Sequence, residues 1–326
     1  MNYRRFGRTG LKVSEIAFGG GRSGGILIDA DDDTKRDAVR RALDHGINWF
    51  DTAPQYGNGR SEEALGWLLA EVDEDPYVST KVKIDTDKGD DLVGQVERSV
   101  EESLTRLRRD SVTLLQLHSP IREKSGGGPL TAHDVLRKGG AAEGLERIRE
   151  QGLTRFIGLT ALGEAVGTCK VIDSGRFDAA QVYYNAINPS AARSMPVAWR
   201  GADLSGIVDA CKRQDMAVMA IRIFAASYLA TPQRTGRESI LTTNTAPESE
   251  ERMAEALFAV VGDAYGTRAQ TALRYVLSSE DVATAIIGLS EPAHIDEAAA
   301  GAELGPLPKN ALEQIEKLYE TGFDAA

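Results

Sequence analysis

Four side chains in this sequence are of types that together can transfer a proton to an oxygen atom. Asp51 and Tyr56 lie in NWFDTAPQYG. Lys81 ends YVSTK, and His118 ends LLQLH. A free tyrosine has a pKa of about 10, but a lysine cation beside it would lower that pKa and a carboxylate would hold the lysine in place. With a histidine donating a hydrogen bond to the oxygen, the group could protonate an oxyanion as hydride reaches the adjacent carbon.

The elements that must position these residues follow from the pattern of apolar positions. Short apolar runs alternate with amphipathic helical patterns along the chain. The predicted strands are 13–18, 47–51, 77–81, 113–118, 155–160, 179–184, 216–221 and 283–288. Helices are predicted near 34–45, from Ser61 to 69, and near 93–107, 145–152, 164–174, 203–214, 266–279 and 293–300. Repeated strand–helix units predict an α/β fold with a parallel sheet, and eight of them predict a (β/α)8 TIM barrel.

We expect this barrel to be a single domain over residues 1–326, with long loops at 121–140 and 230–251. Both loops would lie at the carboxyl face of the barrel, where such enzymes keep their active sites. The four polar residues also fall at strand ends on that face. Each alone has an ordinary structural explanation, as a loop cap, a half-buried aromatic ring, an extended lysine or a core histidine. Their shared position at strand ends favours a common site.

A second motif resembles a dinucleotide-binding fingerprint. Gly19, Gly21 and Gly24 match G-x-G-x-x-G after a predicted strand. In a Rossmann fold a helix would begin there and bind the pyrophosphate at its N-terminus. We expect no helix for about ten residues after these glycines, and three consecutive aspartates at 31–33 would repel a pyrophosphate. The glycines therefore predict a turn that brings the backbone close to a ligand.

Composition narrows the classes of partner. The net charge of −11 disfavours nucleic acid and anionic membrane surfaces as partners. The sequence shows no apolar run of membrane-spanning length and no signal peptide, so we expect a cytoplasmic protein. The 4 histidines are not clustered with other ligand residues, and no metal site is expected.

Over nearly its whole length the chain resembles the aldo-keto reductase family. GINWFDTAPQYGNGRSEEALG is similar to the family's first signature, and RFGRTGLKVSEIAFGG is similar to its N-terminal opening. GLTRFIGLT, FDAAQVYYN and AIIGLSEPAHIDEAAA resemble later signatures. The resemblance implies that Asp51, Tyr56, Lys81 and His118 form the catalytic tetrad of an oxidoreductase that interconverts a carbonyl and an alcohol.

The resemblance also implies a site for NADP(H) or NAD(H) across the barrel mouth. The family holds the nicotinamide carboxamide with a Ser-Asn pair and a Gln; here the pair is Thr160-Ala161, and Gln181 matches the Gln. The positions implied to border the cofactor are Gly20, Gly21, Thr160, Gln181, Arg222, Phe224, Leu229, Gly288, Ser290, His294 and Glu297. His294 stands where the family commonly has a basic residue for the 2′-phosphate of NADPH. We therefore expect both cofactors to be accepted.

We predict that the substrate pocket lies at the same barrel mouth as the cofactor site. Arg22, Lys83 and Ser119 would form its walls beside Tyr56 and His118. Polar walls favour a sugar or another polar carbonyl or alcohol as the small-molecule substrate. The segment after Tyr184 and the sequence GLT are similar to bacterial sugar and pyridoxal dehydrogenases of the family.

Two other functions remain open on the sequence. The chain could be a cofactor-binding regulatory subunit that senses redox state with little turnover, because some members of the family serve ion channels. It could also be an unrelated barrel hydrolase or lyase, although clustered metal ligands for such chemistry are lacking. The oligomeric state is left open.

Overall fold

The predicted (β/α)8 barrel is confirmed. The computed structural model describes residues 1–89, 91–123, 130–234, 236, 238 and 246–324. Eight parallel strands pair in sequence order, and the last strand pairs with the first to close the barrel. These strands are β1 (Ile16–Gly19), β2 (Trp49–Asp51), β3 (Tyr77–Val82), β4 (Val112–Leu117), β5 (Thr154–Ala161), β6 (Ala179–Tyr183), β7 (Ala217–Ile221) and β8 (Val282–Gly288).

Helices surround the barrel and bury their apolar faces against it. They are α1 (Ile26–Asp29), α2 (Asp32–Asp44), α3 (Arg60–Ala70), α4 (Leu92–Leu107), α5 (Ala132–Leu136), α6 (Ala141–Glu150), α7 (Ala165–Asp173), α8 (Ile207–Arg213), α9 (Pro247–Val261), α10 (Arg268–Leu277), α11 (Ala293–Glu303) and α12 (Lys309–Thr321). In α4, Val96, Val100 and Leu107 are buried at spacings that place them on one helix face. Every barrel strand therefore lies between apolar helix faces and the barrel interior.

The amino-terminal end of the barrel is closed by a hairpin, and this changes one prediction. The predicted strand 13–18 is two elements, because Lys12–Ser14 pairs antiparallel with Tyr3–Arg5 before β1 begins at Ile16. The Ser14 hydroxyl donates to the Ile16 carbonyl at 2.6 Å across this break. Phe6, beside the hairpin, packs on Trp49 with ring centroids 4.6 Å apart. The hairpin thus fills the closed end and leaves the carboxyl end of the strands for a site.

Two local predictions near that carboxyl end are wrong. A one-turn helix, α1, begins at Ile26, only two residues after Gly24, although no helix was expected there. Ser61 does not cap α3, because Gly59 occupies the cap position with φ 90. The Ser61 hydroxyl instead donates to the Gly20 carbonyl at 2.9 Å and lies 2.8 Å from Thr52 Oγ1. Ser61 therefore ties the loop after β1 to the loop after β2.

The two long predicted loops contain structure that the sequence analysis missed. Helix α5 lies in the first, and α9 begins inside the second. Residues 124–129 of the first loop and residues 235, 237 and 239–245 of the second lie outside the described residues. Helix α12 was also missed, although Ala311, Ile315 and Leu318 repeat at helical spacing and are buried.

Candidate active site

Lys81 is the centre of the polar group at the barrel mouth. Its side chain, near the end of β3, is 0% exposed. Its ammonium group donates to Asp51 Oδ2 at 2.6 Å, to the Thr52 carbonyl at 2.8 Å and to the Tyr56 hydroxyl at 3.3 Å. The lysine therefore connects the carboxylate to the phenol and brings three of the four predicted side chains together.

Asp51 is anchored from the opposite wall of the barrel. Its Oδ1 accepts hydrogen bonds from Ser79 Oγ at 2.7 Å, Gln181 Nε2 at 2.7 Å and Gln116 Nε2 at 3.3 Å. Gln181 is on β6, which lies across the barrel from β2 in the closed strand order. A buried carboxylate needs such donors as well as its cation, because an unpaired charge is costly to bury. The network fixes Asp51 and, through it, Lys81.

The ionisation of Tyr56 differs from the simple expectation. Burial raises the pKa of the Tyr56 phenol above its ordinary value, and the Lys81 cation opposes this effect without cancelling it. Lys81 thus acts on this pKa in the expected direction, but the sequence analysis did not include the burial of the phenol, which has the larger effect. Burial alone would lower the pKa of Lys81, but the Asp51 carboxylate and the Tyr56 phenol together outweigh burial, and the pKa is raised. At neutral pH the phenol thus keeps its proton and the lysine keeps its charge.

His118 lies beside the phenol. The two rings meet edge to face, with centroids 5.9 Å apart and an interplanar angle of 87°. The pKa of His118 is lowered to about 3, by burial first and then by the cations of Lys81 and Lys83. His118 is therefore a neutral hydrogen-bonding group at this site. Its Nδ1 lies 2.9 Å from the Oε1 atom of Gln55.

The glycines after β1 place the backbone close to neighbouring side chains at the barrel mouth. A Cβ atom at Gly20 would lie 2.6 Å from Ser61 Oγ, closer than real side chains approach. A Cβ atom at Gly21 would lie 3.6 Å from the Tyr56 ring. A side chain at Gly20 would therefore clash with Ser61, whereas the Cβ of a side chain at Gly21 would make ordinary contact with the phenol, so glycine at 21 leaves space beside Tyr56.

The predicted substrate residues are divided between surface and interior. Arg22 and Lys83 are exposed, on the loops after β1 and β3. Ser119 is 2% exposed, and its hydroxyl accepts from the Ile84 N–H at 2.8 Å and donates to the Ile84 carbonyl at 3.2 Å. The structure thus directs the Ser119 hydroxyl to backbone, while Arg22 and Lys83 keep their charges at the surface.

The predicted carboxamide residues face the barrel interior on adjacent strands. Thr160 and Gln181 are paired in register between β5 and β6. Among the described residues the Thr160 hydroxyl oxygen has no hydrogen-bond partner, although it is buried. The Gln181 amide nitrogen donates to Asp51 Oδ1 at 2.7 Å.

The loop after β7 adopts an uncommon backbone conformation. Arg222, Ala225, Ala226 and Ser227 have φ values of 61, 45, 57 and 95, a region that non-glycine residues seldom occupy. The Arg222 carbonyl accepts from Asn185 Nδ2 at 2.8 Å. Such strain is concentrated at functional loops.

Phe224 and Leu229 belong to the same loop. Phe224 is half-buried, and Leu229 is 0% exposed. The N–H of Leu229 donates to the Phe224 carbonyl at 3.1 Å. Of the two predicted cofactor positions, Phe224 therefore keeps part of its ring at the surface and Leu229 belongs to the core.

The predicted adenosine end follows β8. Gly288 ends that strand in register with Gly19. His294, at the start of α11, lies 3.0 Å from Glu291 Oε1 through Nε2 and 3.4 Å from Ser290 Oγ through Nδ1. Glu297 accepts from Thr267 Oγ1 at 2.6 Å. Both ring nitrogens of His294 thus have partners within the chain.

Several residues of the site were missed by the sequence analysis. Ser79 and Gln116 precede Lys81 and His118 by two residues, and alternation along a strand puts residues i and i+2 on one face. That signal could have found both. Thr52 contributes its backbone carbonyl, which any residue type could supply. Gln55 is exposed, and a polar residue on a loop gives no indication of a functional role.

Metal centres and membrane spans are two other features that the described part of the chain could hold. There, no group of three or more His, Cys, Asp or Glu side chains is arranged to hold a metal ion. Within the same residues, no helix has both the length and the apolar character needed to span a membrane.

Comparison with known proteins identifies the family. The model of the Aldo/keto reductase family matches residues 15–320. The chain belongs to this family. The resemblance found in the sequence motifs is therefore confirmed, and with it membership of a family of oxidoreductases.

Several known proteins align with nearly the whole length of this aldo-keto reductase. L-galactose dehydrogenase of Arabidopsis thaliana is 27% identical over 98% of this chain and 95% of its own. D-threo-aldose 1-dehydrogenase of a Pseudomonas species is 26% identical, with 91% of each chain covered. Among solved structures, the holo form of an aldo-keto reductase from Bacillus halodurans superposes with a TM-score of 0.75 at 22% identity, covering 98% of this chain and 97% of that one.

Proposed function

We propose that this chain interconverts a carbonyl compound and its alcohol by hydride exchange with NADP(H) or NAD(H), with Tyr56 as the proton donor. The observation that carries the proposal is the contact of one buried ammonium group, on Lys81, with both Asp51 at 2.6 Å and the Tyr56 hydroxyl at 3.3 Å. A phenol beside a buried cation can give up its proton to a developing alkoxide, because the cation stabilises the phenolate that remains.

The barrel mouth has the features that a nicotinamide cofactor requires. The buried Thr160 hydroxyl lacks a partner among the described residues and can pair with a carboxamide, and Gly21 leaves room beside Tyr56. Gln181 would complete the carboxamide contacts. When bound, the cofactor would supply or accept the hydride at the substrate carbon. The loop from Arg222 to Leu229 and the segment from Gly288 to Glu297 would hold the remainder of the molecule.

Proton delivery then depends on residues of this chain. Tyr56 holds its proton at neutral pH, because burial raises its pKa. Lys81 limits the cost of forming the phenolate, and Asp51 keeps Lys81 charged. His118, neutral and beside the phenol, would orient the substrate oxygen by a hydrogen bond. For alcohol oxidation the same groups act in reverse, with the phenolate of Tyr56 accepting the proton.

We further propose a sugar or another polar carbonyl or alcohol as substrate. Arg22 and Lys83 place two exposed cations at the mouth, which suits hydroxyl-rich or anionic compounds better than apolar ones. The two dehydrogenases named above, whose names specify a galactose and an aldose, support the same class. The Ser119 hydroxyl would contribute to pocket shape rather than to direct contact, since it is bonded to Ile84.

We propose that both cofactors are accepted. A histidine at position 294 lacks the permanent charge of an arginine or lysine, and its Nε2 lies 3.0 Å from Glu291 Oε1. A 2′-phosphate of NADPH would have to displace that contact, whereas NADH has no such group. The N-terminus of α11 would still favour an anion through the positive end of the helix dipole, although the N–H groups of His294 and Ile295 donate to the carbonyls of Glu291 and Pro292.

A substrate panel tests this proposal. Purified protein would be assayed with NADPH and with NADH against aldoses, polar aldehydes, aromatic ketones and steroidal ketones, and in the oxidative direction against sugars. We expect turnover of polar compounds with either cofactor. Turnover of aromatic or steroidal ketones alone would contradict the substrate class, and absence of turnover throughout would contradict the activity itself.

A further inference from the structure

Within the described part of the chain, the His118 ring makes one hydrogen bond, and its partner is the side chain of Gln55. Its Oε1 lies 2.9 Å from His118 Nδ1. Gln55 directly precedes Tyr56, and its side chain is exposed at the mouth. It therefore reaches the imidazole from the side of the loop that also carries the phenol.

Because the His118 imidazole is neutral, its hydrogen bond to Gln55 decides which ring nitrogen carries the proton. With a pKa of about 3, the imidazole is neutral near pH 7 and carries a single ring proton. That proton is on either Nδ1 or Nε2, and the partner of one nitrogen decides which. Oε1 of Gln55 accepts only, so the arrangement in the structure puts the proton on Nδ1 and leaves Nε2 with a lone pair.

A substrate carbonyl oxygen requires the other tautomer. A carbonyl accepts hydrogen bonds, so His118 must present an N–H group from Nε2. Rotation of the Gln55 amide by half a turn exchanges its oxygen for its NH2 group at nearly the same position. The NH2 group then donates to the lone pair of Nδ1. The ring releases the Nδ1 proton to water and takes one at Nε2, with no change of net charge.

We propose that Gln55 is a positioning residue that sets the tautomer of His118, by rotation of its side-chain amide. The inference rests on the proposed role of His118 in orienting the substrate oxygen. Glutamine suits this task because it can accept from or donate to Nδ1. A carboxylate would only accept, and a hydrocarbon would do neither.

Two substitutions separate this role from a merely structural one. Gln55→Glu presents an acceptor only and should lock the proton on Nδ1. At pH 8, kcat for glyceraldehyde with NADPH should then fall by about tenfold or more, since the oxygen loses its donor. A nearby carboxylate also raises the pKa of an imidazole by about 1–3 units. Activity of Gln55→Glu should therefore recover toward lower pH, as the doubly protonated ring regains an N–H group at Nε2.

Gln55→Met removes the hydrogen bond without imposing a tautomer, so its loss of kcat should be the smaller one. Asn58→Asp is the matched control, because it makes the same change from amide to carboxylate on the same loop. Asn58 is exposed and has φ 54, which aspartate also tolerates. Its activity and pH profile should stay close to those of the wild type.

Ring-nitrogen NMR of the 15N-labelled protein without ligand gives a readout independent of turnover. His118 is assigned from the signal that disappears in His118→Gln. We expect the proton on Nδ1 in the wild type and in Gln55→Glu, and a shift toward Nε2 in Gln55→Met. Identical ring-nitrogen spectra for the wild type and Gln55→Met would overturn the proposal, as would wild-type kcat for Gln55→Glu at pH 8. If no carbonyl compound is turned over, the proposed function fails, while the spectra still decide the role of Gln55.

Discussion

Replacing Lys81 by methionine removes the cation that contacts the phenol and keeps much of the side-chain length. Lys81 Nζ lies 3.3 Å from the Tyr56 oxygen. At an effective dielectric constant of about 20, the attraction of cation and phenolate at that distance is about 5 kcal/mol, or about 3.7 pKa units. The Asp51 carboxylate beside the same ammonium group offsets part of this. We therefore expect the pKa of Tyr56 to rise further in Lys81→Met, because the cation that lowers it is gone.

The consequence is slower proton delivery. We expect kcat to fall by about 10²- to 10⁴-fold, the range that general acid–base assistance supplies. The alkaline limb of the pH–rate profile should move to higher pH, because the phenolate has lost its cation. The assay is the pH dependence of kcat over about pH 6–11, with tyrosinate absorbance recorded on the same samples.

Folding must be separated from chemistry in this experiment. Lys81→Met leaves the Asp51 carboxylate buried without its cation, which costs about 3–5 kcal/mol of stability. The double variant Lys81→Met with Asp51→Asn removes both charges and should recover much of that stability while activity stays low. Wild-type kcat and an unchanged pH profile in a folded Lys81→Met protein would refute the reasoning.

Three further predictions follow from the same geometry. Asp51→Asn should shift the pKa of Tyr56 downward, opposite to Lys81→Met, because the carboxylate raises it; an upward shift of the alkaline limb would contradict this. The His118 imidazole should stay neutral at every pH used for assays, since its pKa is about 3; NMR titration of its ring proton near pH 6 would show the opposite. His294→Arg should tighten NADPH binding by about 1.5–3 kcal/mol through a charged contact to the 2′-phosphate, with NADH binding nearly unchanged. Equal effects on the two dissociation constants, measured by fluorescence titration, would contradict that assignment.

Much of the fold could be predicted because barrel strands and their helices have different apolar periods. The strand around Lys81 and the helix from Leu92 to Leu107 were found to within one residue. The alternation of strands and helices then implied closure of the barrel and a site at its carboxyl face. The hairpin at residues 3–14 escaped because its second strand leads almost directly into β1, and the sequence analysis did not treat the polar pair Ser14 and Glu15 as a break between two strands.

The sequence indicated which residues form the site, but it did not indicate all of the hydrogen bonds between them. The meeting of Lys81, Asp51 and Tyr56 follows from neighbouring strand ends. The bond from Gln181 to Asp51 crosses the whole barrel, which no local pattern encodes. The net rise in the pKa of Tyr56 depends on how deeply the phenol is buried, and burial is a property of the packed structure.

The central claim is that Tyr56 delivers the proton, and Tyr56→Phe tests it most directly. The substitution removes one oxygen atom and keeps the ring that packs against His118. Single-turnover oxidation of the reduced cofactor by a polar aldehyde would be followed by absorbance, with cofactor dissociation constants measured in parallel. We expect the hydride-transfer rate to fall by about 10²- to 10⁴-fold with cofactor binding nearly unchanged. A rate above about a tenth of the wild-type value, with hydride transfer limiting, would contradict the account.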